Sequence, residues 1–215
     1  MILYGSSMSP YVRKVMTCAS EKGIPLESRS VRLGDQDPEF RAASPFGKMP
    51  ALVDGDYRLA DSSAIVHYLE AKHPEPPLIP AEARARGRVI WWEEFADTLL
   101  MGCLQKLFFN RIVAPVFLKR EGNPQVADAA EKNELPPLMQ YLEAEAPADG
   151  FLVGGGVTLA DLAVASPLAN LEHMGMAIDR GSYPRLADYV ERVLSRPSFA
   201  PILERERAVM QKVAA

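Results

Sequence analysis

Residues 1–15, MILYGSSMSPYVRKV, predict a strand, a loop and the start of a helix in direct succession. Ser9 is typical of a helix N-cap and Pro10 of the first helical position, and the pattern continues the helix to Lys22. The elements predicted after it are a strand in LESRSV, a hairpin formed by ALVDG and YRLA, and a helix over 62–72. The order βαβ-ββα predicts a small α/β domain.

The first turn of this helix is a place where thiol chemistry is possible. Thioredoxin-like proteins carry Cys-Pro-x-Cys in such a turn, because the N–H groups and the helix dipole stabilise a thiolate. Here Ser9 and Val12 stand in place of both cysteines, so the sulfur has to belong to a bound molecule, for which glutathione is the obvious candidate. Two interpretations of Ser9 are open: it donates a hydrogen bond to that thiolate, or it only caps the helix.

A proline-rich stretch divides the chain into two regions of different composition. KHPEPPLIP, residues 72–80, contains four prolines and predicts an irregular connector. We therefore expect an α/β domain at 1–74, a linker at 75–83 and an all-helical domain at 84–215. The apolar periodicity beyond the linker predicts helices in the segments 81–118, 123–145, 158–173 and, in two pieces, 184–210.

Composition and charge narrow the class of protein. The chain has 215 residues, of which 48% are hydrophobic, and its net charge of −4 leaves no basic surplus for binding nucleic acid. Cys18 and Cys103 suggest neither a disulfide framework nor a metal site, and the three histidines show no metal-ligand spacing. The N-terminus lacks the pattern of a signal peptide and no uninterrupted apolar run spans a membrane, so we expect a cytoplasmic protein.

Two further segments carry possible ligand contacts. Met49-Pro50 precedes a predicted strand and favours a cis-proline turn, which would expose the backbone of Met49 to an extended peptide ligand. Asp61 and Ser62 open the next helix and suit a γ-glutamyl group, which carries both a carboxylate and an ammonium. Each segment also has a purely structural interpretation, the first as a tight turn and the second as a helix cap.

VTLADLAVASPL, residues 157–168, contains a helix start of a different kind. Thr158 and Asp161 have the spacing of a capping box before an apolar run. The pattern predicts a buried helix and marks the fold, with no role in catalysis.

Taken together, these segments resemble the cytosolic glutathione transferases of the serine type, such as the tau, phi and zeta classes. The similarity lies in LYGSSMSPYVRKV, SPFGKMPALVDGD, LADSSAIVHYLEAKHP and VTLADLAVASPL, which occur in the family's order over nearly the whole chain. The resemblance implies a thioredoxin-like N-terminal domain, an all-helical C-terminal domain, a homodimer, and glutathione bound by the N-terminal half without a metal.

The resemblance also implies roles for individual residues. Ser9 matches the thiol-activating serine, and Pro50 matches the cis-proline that follows the main-chain contact at Met49. Lys48 matches a position whose side chain reaches the glycyl end, while Asp61 and Ser62 match the acid-serine pair at the γ-glutamyl end. The residues expected to line an electrophile pocket between the domains are Met8, Tyr11, Met101, Leu104, Phe108 and Arg111, although Met and Phe at helical spacing also suit a core.

The leading hypothesis is conjugation of glutathione thiolate to small apolar electrophiles. The alternatives are a glutathione-dependent isomerase of the zeta type and a non-catalytic interaction module with the same fold. Two departures from the family pattern bear on these alternatives. Asp61 is shorter than the usual Glu, and SSMS resembles the SSCS of the zeta class, in which Ser6 or Ser7 would be the working hydroxyl. Met8 replaces the cysteine of that motif, which disfavours the isomerase.

Overall fold

The computed structural model describes residues 1–214, which form two compact units, Met1–Pro80 and the chain from Ala81 onward. The elements of the first unit are β1 (Ile2–Tyr4), α1 (Pro10–Glu21), β2 (Glu27–Arg29), α2 (Pro38–Ala43), β3 (Ala51–Asp54), β4 (Tyr57–Ala60) and α3 (Ser62–Lys72). The strands form one sheet in the order β2-β1-β3-β4, with β1 and β2 parallel and the other pairs antiparallel. The predicted βαβ-ββα order is therefore confirmed.

Helix α1 begins where its local sequence predicts and ends at Glu21, one residue before the predicted Lys22, which is the C-cap. Ser9 is the N-cap with extended backbone angles and Pro10 is the first helical residue. Gly23, just past the C-cap, has a φ of +65°, a conformation that glycine adopts without steric cost. Val12 and Val15 are fully buried, which anchors one face of the helix.

Helix α2 is an element that the periodicity of the sequence does not indicate. It has only six residues, too few for an apolar repeat. Its start is nevertheless encoded locally, because Asp37 accepts a hydrogen bond of 2.8 Å from the N–H of Phe40 and Pro38 occupies the first turn. Phe40 is fully buried in a core cluster with Tyr4 and Ala51 on one face of the sheet.

Among the residues described, the second unit contains helices joined by loops and no strand. A continuous helix over 83–117 combines α4 (Ala83–Glu94) and α5 (Met101–Phe108) with two stretches of π-helix, Phe95–Leu100 and Phe109–Phe117. The remaining elements are α6 (Pro124–Ala129), a π-helical turn (Ala130–Glu134), α7 (Leu135–Glu145), α8 (Leu159–Leu168), α9 (Asn170–His173), α10 (Pro184–Leu194) and α11 (Ala200–Ala214). The all-helical prediction for this region is confirmed.

Within the described chain, the helix over 83–117 is the one element long and apolar enough to cross a membrane, judged by length and composition alone. Its residues Val89, Trp92 and Leu100 are almost completely buried. The central helix of a helical core passes the same test of length and composition, so this feature is weak evidence for a membrane span.

Helix α8 is buried on all sides and is held at its start by Asp161. One carboxylate oxygen of Asp161 accepts from the N–H of Thr158 at 2.9 Å and from its hydroxyl at 3.1 Å. The other accepts from the N–H of Leu152 at 2.8 Å and from the hydroxyl of Tyr189 at 2.9 Å. Burial raises the pKa of Asp161, and these hydrogen bonds offset part of that rise. The predicted capping pair is confirmed.

Candidate active site

The register of the sheet brings the three predicted ligand segments to one edge. Tyr4, the last residue of β1, pairs with Ala51 at the start of β3, which in turn pairs with Ala60 at the end of β4. Neighbouring strands lie about 4.8 Å apart. The loop that leaves β1, the turn that enters β3 and the residues that follow β4 therefore lie side by side.

Ser9 stands at the start of α1, where its hydroxyl is not used for capping. Its backbone angles are φ −79° and ψ 122°, and its carbonyl accepts the first helical hydrogen bond from the N–H of Arg13 at 2.9 Å. Within the described residues its side chain makes no cap hydrogen bond. The first N–H groups of a helix lack intrahelical acceptors. The Ser9 hydroxyl and the N–H groups at the start of the helix can therefore donate hydrogen bonds to an anion.

Ser6 makes hydrogen bonds that stabilise the loop between β1 and α1. Its hydroxyl oxygen accepts from the N–H of Met8 at 3.4 Å, and its carbonyl accepts from the N–H of Ser9 at 2.9 Å. These bonds hold the turn that leads into α1. The choice of Ser9 over Ser6 or Ser7 as the working hydroxyl stays a prediction, and the hydrogen bonds of Ser6 favour it.

The turn before β3 has the predicted geometry. The Met49-Pro50 peptide bond is cis, as the sequence indicates. The side chain of Lys48 is exposed, and its carbonyl accepts a hydrogen bond of 2.7 Å from the hydroxyl of Ser44, which fixes the backbone of the turn. The roles of Met49 and Lys48 towards a ligand stay predictions.

Gly5 allows the loop after β1 to approach both α1 and this turn. Its φ is +146°, which side-chain-bearing residues rarely adopt. A Cβ at this position would lie 2.5 Å from Cγ2 of Val12 and 3.3 Å from Cβ of Met49. The sequence offers no signal for this close approach except the place of the glycine between a strand and a helix.

We expect Gly5→Ala to lower the free energy of unfolding by about 2 kcal/mol, because it adds backbone strain and a clash with Val12. It should also weaken glutathione binding, since Met49 is displaced. Urea unfolding and calorimetric titration measure both effects. Gly87→Ala is the matched control, because a Cβ there meets nothing within 4 Å and the change is expected to be neutral or slightly stabilising. A Gly5 variant as stable as the control would contradict this geometry.

Asp61 caps α3 from a strained backbone position. Its φ is +83°, uncommon for a residue other than glycine, and one carboxylate oxygen accepts from the N–H groups of Ser63 at 3.0 Å and Ala64 at 3.1 Å. Strain of this kind is concentrated at ligand sites. The capping interpretation is thus correct for Asp61, and its contact with a γ-glutamyl ammonium, like that of Ser62, stays a prediction.

The residues expected to line an electrophile pocket are mostly buried. Met101, Leu104 and Phe108 have exposed fractions of 6%, 2% and 8%, and Met8 has 9%. Tyr11 is partly exposed. The buried helical residues have the environment of core positions, and their contribution to a pocket stays a prediction.

Arg111 is held by neighbours within the second unit. Its guanidinium pairs with Asp128 at 2.8 Å and with Glu131, and it lies 3.5 Å from the sulfur of Met176. Burial lowers the pKa of Arg111, but the two carboxylates outweigh this effect and raise it. An electrophile contact by Arg111 has to coexist with these ion pairs.

Over residues 1–214, no group of three or more His, Cys, Asp or Glu side chains is arranged so that it could hold a metal ion.

Comparison with known proteins gives consistent results for both units. The chain matches the family models described as glutathione S-transferase, N-terminal domain, over residues 3–77, and glutathione S-transferase, C-terminal domain, over residues 95–197. Glutathione S-transferase theta-3 of Mus musculus is 33% identical over 89% of this chain and 80% of its own length. A stringent starvation protein A homolog of Coxiella burnetii is 25% identical over 99% of this chain and 96% of its own length.

A solved structure extends the comparison to three dimensions. The structure of glutathione S-transferase-I bound with the ligand lactoylglutathione has a TM-score of 0.83 and is 26% identical in sequence. The match covers 94% of this chain and 98% of that chain. With both domain models and a relative above 30% identity, the chain belongs to the glutathione S-transferase family.

Proposed function

We propose that this protein conjugates the thiolate of glutathione to small apolar electrophiles. The observation that carries the proposal is the Ser9 hydroxyl, which stands at the start of α1 without a cap hydrogen bond among the described residues. Membership of the family makes glutathione the expected co-substrate. The lactoylglutathione bound by the relative with the same fold supports the same ligand class.

The chemical step follows from the position of that hydroxyl. The thiol of glutathione loses its proton to solvent, and the thiolate accepts a hydrogen bond from Ser9. Lowering a thiol pKa from ~8.5 by about two units requires roughly 2.7 kcal/mol of preferential thiolate stabilisation, which a charge-assisted hydrogen bond and a helix N-terminus can supply. The sulfur then forms a bond to the electrophilic carbon, and the leaving group departs with the electron pair of the broken bond.

The rest of glutathione is bound by the segments around Met49 and Asp61. The backbone of Met49 pairs with the cysteinyl unit, Lys48 approaches the glycyl carboxylate, and Asp61 and Ser62 hold the γ-glutamyl end. The electrophile is held by apolar side chains, and holding both reactants together lowers the barrier further. We further propose that the protein works in the cytoplasm as a homodimer without nucleic acid, membrane or metal.

A second candidate is an interaction module with the same fold and no turnover. The similarity to the stringent starvation protein A homolog, whose name is not that of a transferase, favours it. Such a module would show no conjugation over a broad panel of electrophiles. A glutathione-dependent isomerase shares the glutathione site and differs in the electrophile pocket.

The test of the proposal is calorimetric titration with glutathione near neutral pH in two buffers of different ionisation enthalpy. We expect binding with release of a fraction of a proton, because the bound thiol ionises at this pH and the free thiol largely does not. Binding without proton release would contradict thiolate formation. Absence of binding would make the interaction module the better interpretation.

A further inference from the structure

A buried lysine links the two helices that carry the proposed glutathione contacts. Lys14 lies on α1 with an exposed fraction of 1%, and its ammonium donates a hydrogen bond of 3.2 Å to the hydroxyl of Ser63 near the start of α3. The N–H of Ser63 in turn donates to the carboxylate of Asp61 at 3.0 Å. Lys14, Ser63 and Asp61 therefore form a continuous chain of hydrogen bonds between α1 and the start of α3.

The position of this ammonium is unfavourable unless something compensates for it. Removing an ammonium from water is costly when it is not hydrogen-bonded, and the start of a helix carries a partial positive charge that repels a cation. The carboxylate of Asp61 at the same helix start offsets part of that repulsion. The hydrogen bond to Ser63 also compensates part of the cost of burying the ammonium.

The chain of hydrogen bonds ends beside the residues proposed to bind glutathione. Ser9 and Lys14 lie on one rigid helix, about 7.5 Å apart along its axis. Ser63 directly follows Ser62, which is almost fully buried. Fixing Ser63 against Lys14 thus sets the position of Asp61 and Ser62 relative to Ser9.

We propose that Lys14 is a positioning residue for glutathione, acting through Ser63 to hold the start of α3 in register with α1. The role rests on the proposed function, and it concerns the affinity for the γ-glutamyl end. It leaves the ionisation of the thiol to Ser9. Loss of the contact therefore weakens binding and leaves the turnover of bound glutathione unchanged.

The first test compares Ser63→Ala with Ser63→Thr. Ser63→Ala removes one hydrogen-bond acceptor of the Lys14 ammonium, and we expect the Kd and the KM for glutathione to rise about five- to twentyfold. The kcat at saturating glutathione should stay within about twofold, and its pH profile should not move. Ser63→Thr keeps the hydroxyl and should bind nearly as wild type. Ser20→Ala, which changes an exposed serine on α1, is the control.

A double-mutant cycle tests whether Lys14 acts through Ser63. We expect Lys14→Met to raise the Kd for glutathione by a similar factor, and the double variant to be no weaker than the worse single variant. Additive losses would mean that Lys14 and Ser63 act independently and would overturn the proposal. If Lys14→Met does not fold, the comparison of Ser63→Ala with Ser63→Thr still decides.

The outcomes separate this role from a structural one. A Ser63→Ala variant with a lower Tm but the wild-type Kd would show that the contact only stabilises the fold, and the proposal would be wrong. A fall in kcat with a shifted pH profile would place Lys14 in thiolate formation instead, which also overturns it. Absence of glutathione binding by the wild-type protein would overturn the proposed function itself, and this role with it.

Discussion

Replacement of Ser9 by Ala is expected to lower kcat for conjugation of chlorodinitrobenzene about 100-fold at about pH 6.5, the loss expected for removing a hydrogen bond to an anion. The Kd for glutathione should change less than about threefold, because the other segments hold the tripeptide. Without the hydroxyl, the pKa of the bound thiol rises towards ~8.5, so the thiolate fraction falls about tenfold per unit below that pH. The loss should therefore be largest in acid and shrink above about pH 9. Stopped-flow or steady-state assays across this range provide the measurement.

Ser6→Ala and Ser7→Ala are the matched controls for this experiment, because both remove a hydroxyl from the same loop. We expect each to retain kcat within about threefold, with some loss of stability in Ser6→Ala, whose hydroxyl accepts from the N–H of Met8. A large loss in either variant, with Ser9→Ala close to wild type, would assign the working hydroxyl to the zeta-like position instead.

The second large effect is expected for Asp161→Ala, which should lower the free energy of unfolding by about 4 kcal/mol. The change leaves four donors without their acceptor: the N–H groups of Leu152 and Thr158 and the hydroxyls of Thr158 and Tyr189. For a chain of this size the Tm should fall by about 10 °C. Differential scanning calorimetry and urea unfolding measure the effect.

Asp149→Ala is the control for this variant, because Asp149 is an exposed carboxylate in the loop between α7 and α8. We expect its Tm to stay within about 2 °C of wild type. Asp161→Ala protein that remains folded should still bind glutathione, since Asp161 lies outside the unit proposed to hold it. Equal Tm values for the two variants would show that the capping hydrogen bonds contribute little.

The features predicted correctly from the sequence are those that a few neighbouring residues encode. The start of α1 depends on Ser9 and Pro10, the cis bond on the pair Met49-Pro50, and the start of α8 on Thr158 and Asp161. In each case the residues that form the structure lie within four positions of one another. Helix α2 has the same kind of local start, although it is too short for periodicity to reveal it.

The environment of the predicted pocket residues could not be predicted from their neighbours in the sequence. Arg111 suits a pocket by its helical position, yet it is paired with Asp128 and Glu131, which lie 17 and 20 residues further along the chain. Leu104 has an exposed fraction of only 2%, a value that depends on which helices pack around it. Periodicity identifies an apolar face and does not say whether it meets a core or a cavity.

By itself, the sequence determined the order of the elements, the helix starts and the serine at the start of α1, because short-range hydrogen bonding and backbone preferences decide these features. Only the tertiary structure decided that three distant segments share one edge of the sheet. It also decided that the Ser9 hydroxyl makes no cap hydrogen bond within the described residues. It also decided that Lys14 contacts Ser63, 49 residues away. These features depend on strand register and helix packing, which arise from contacts between residues far apart in the chain.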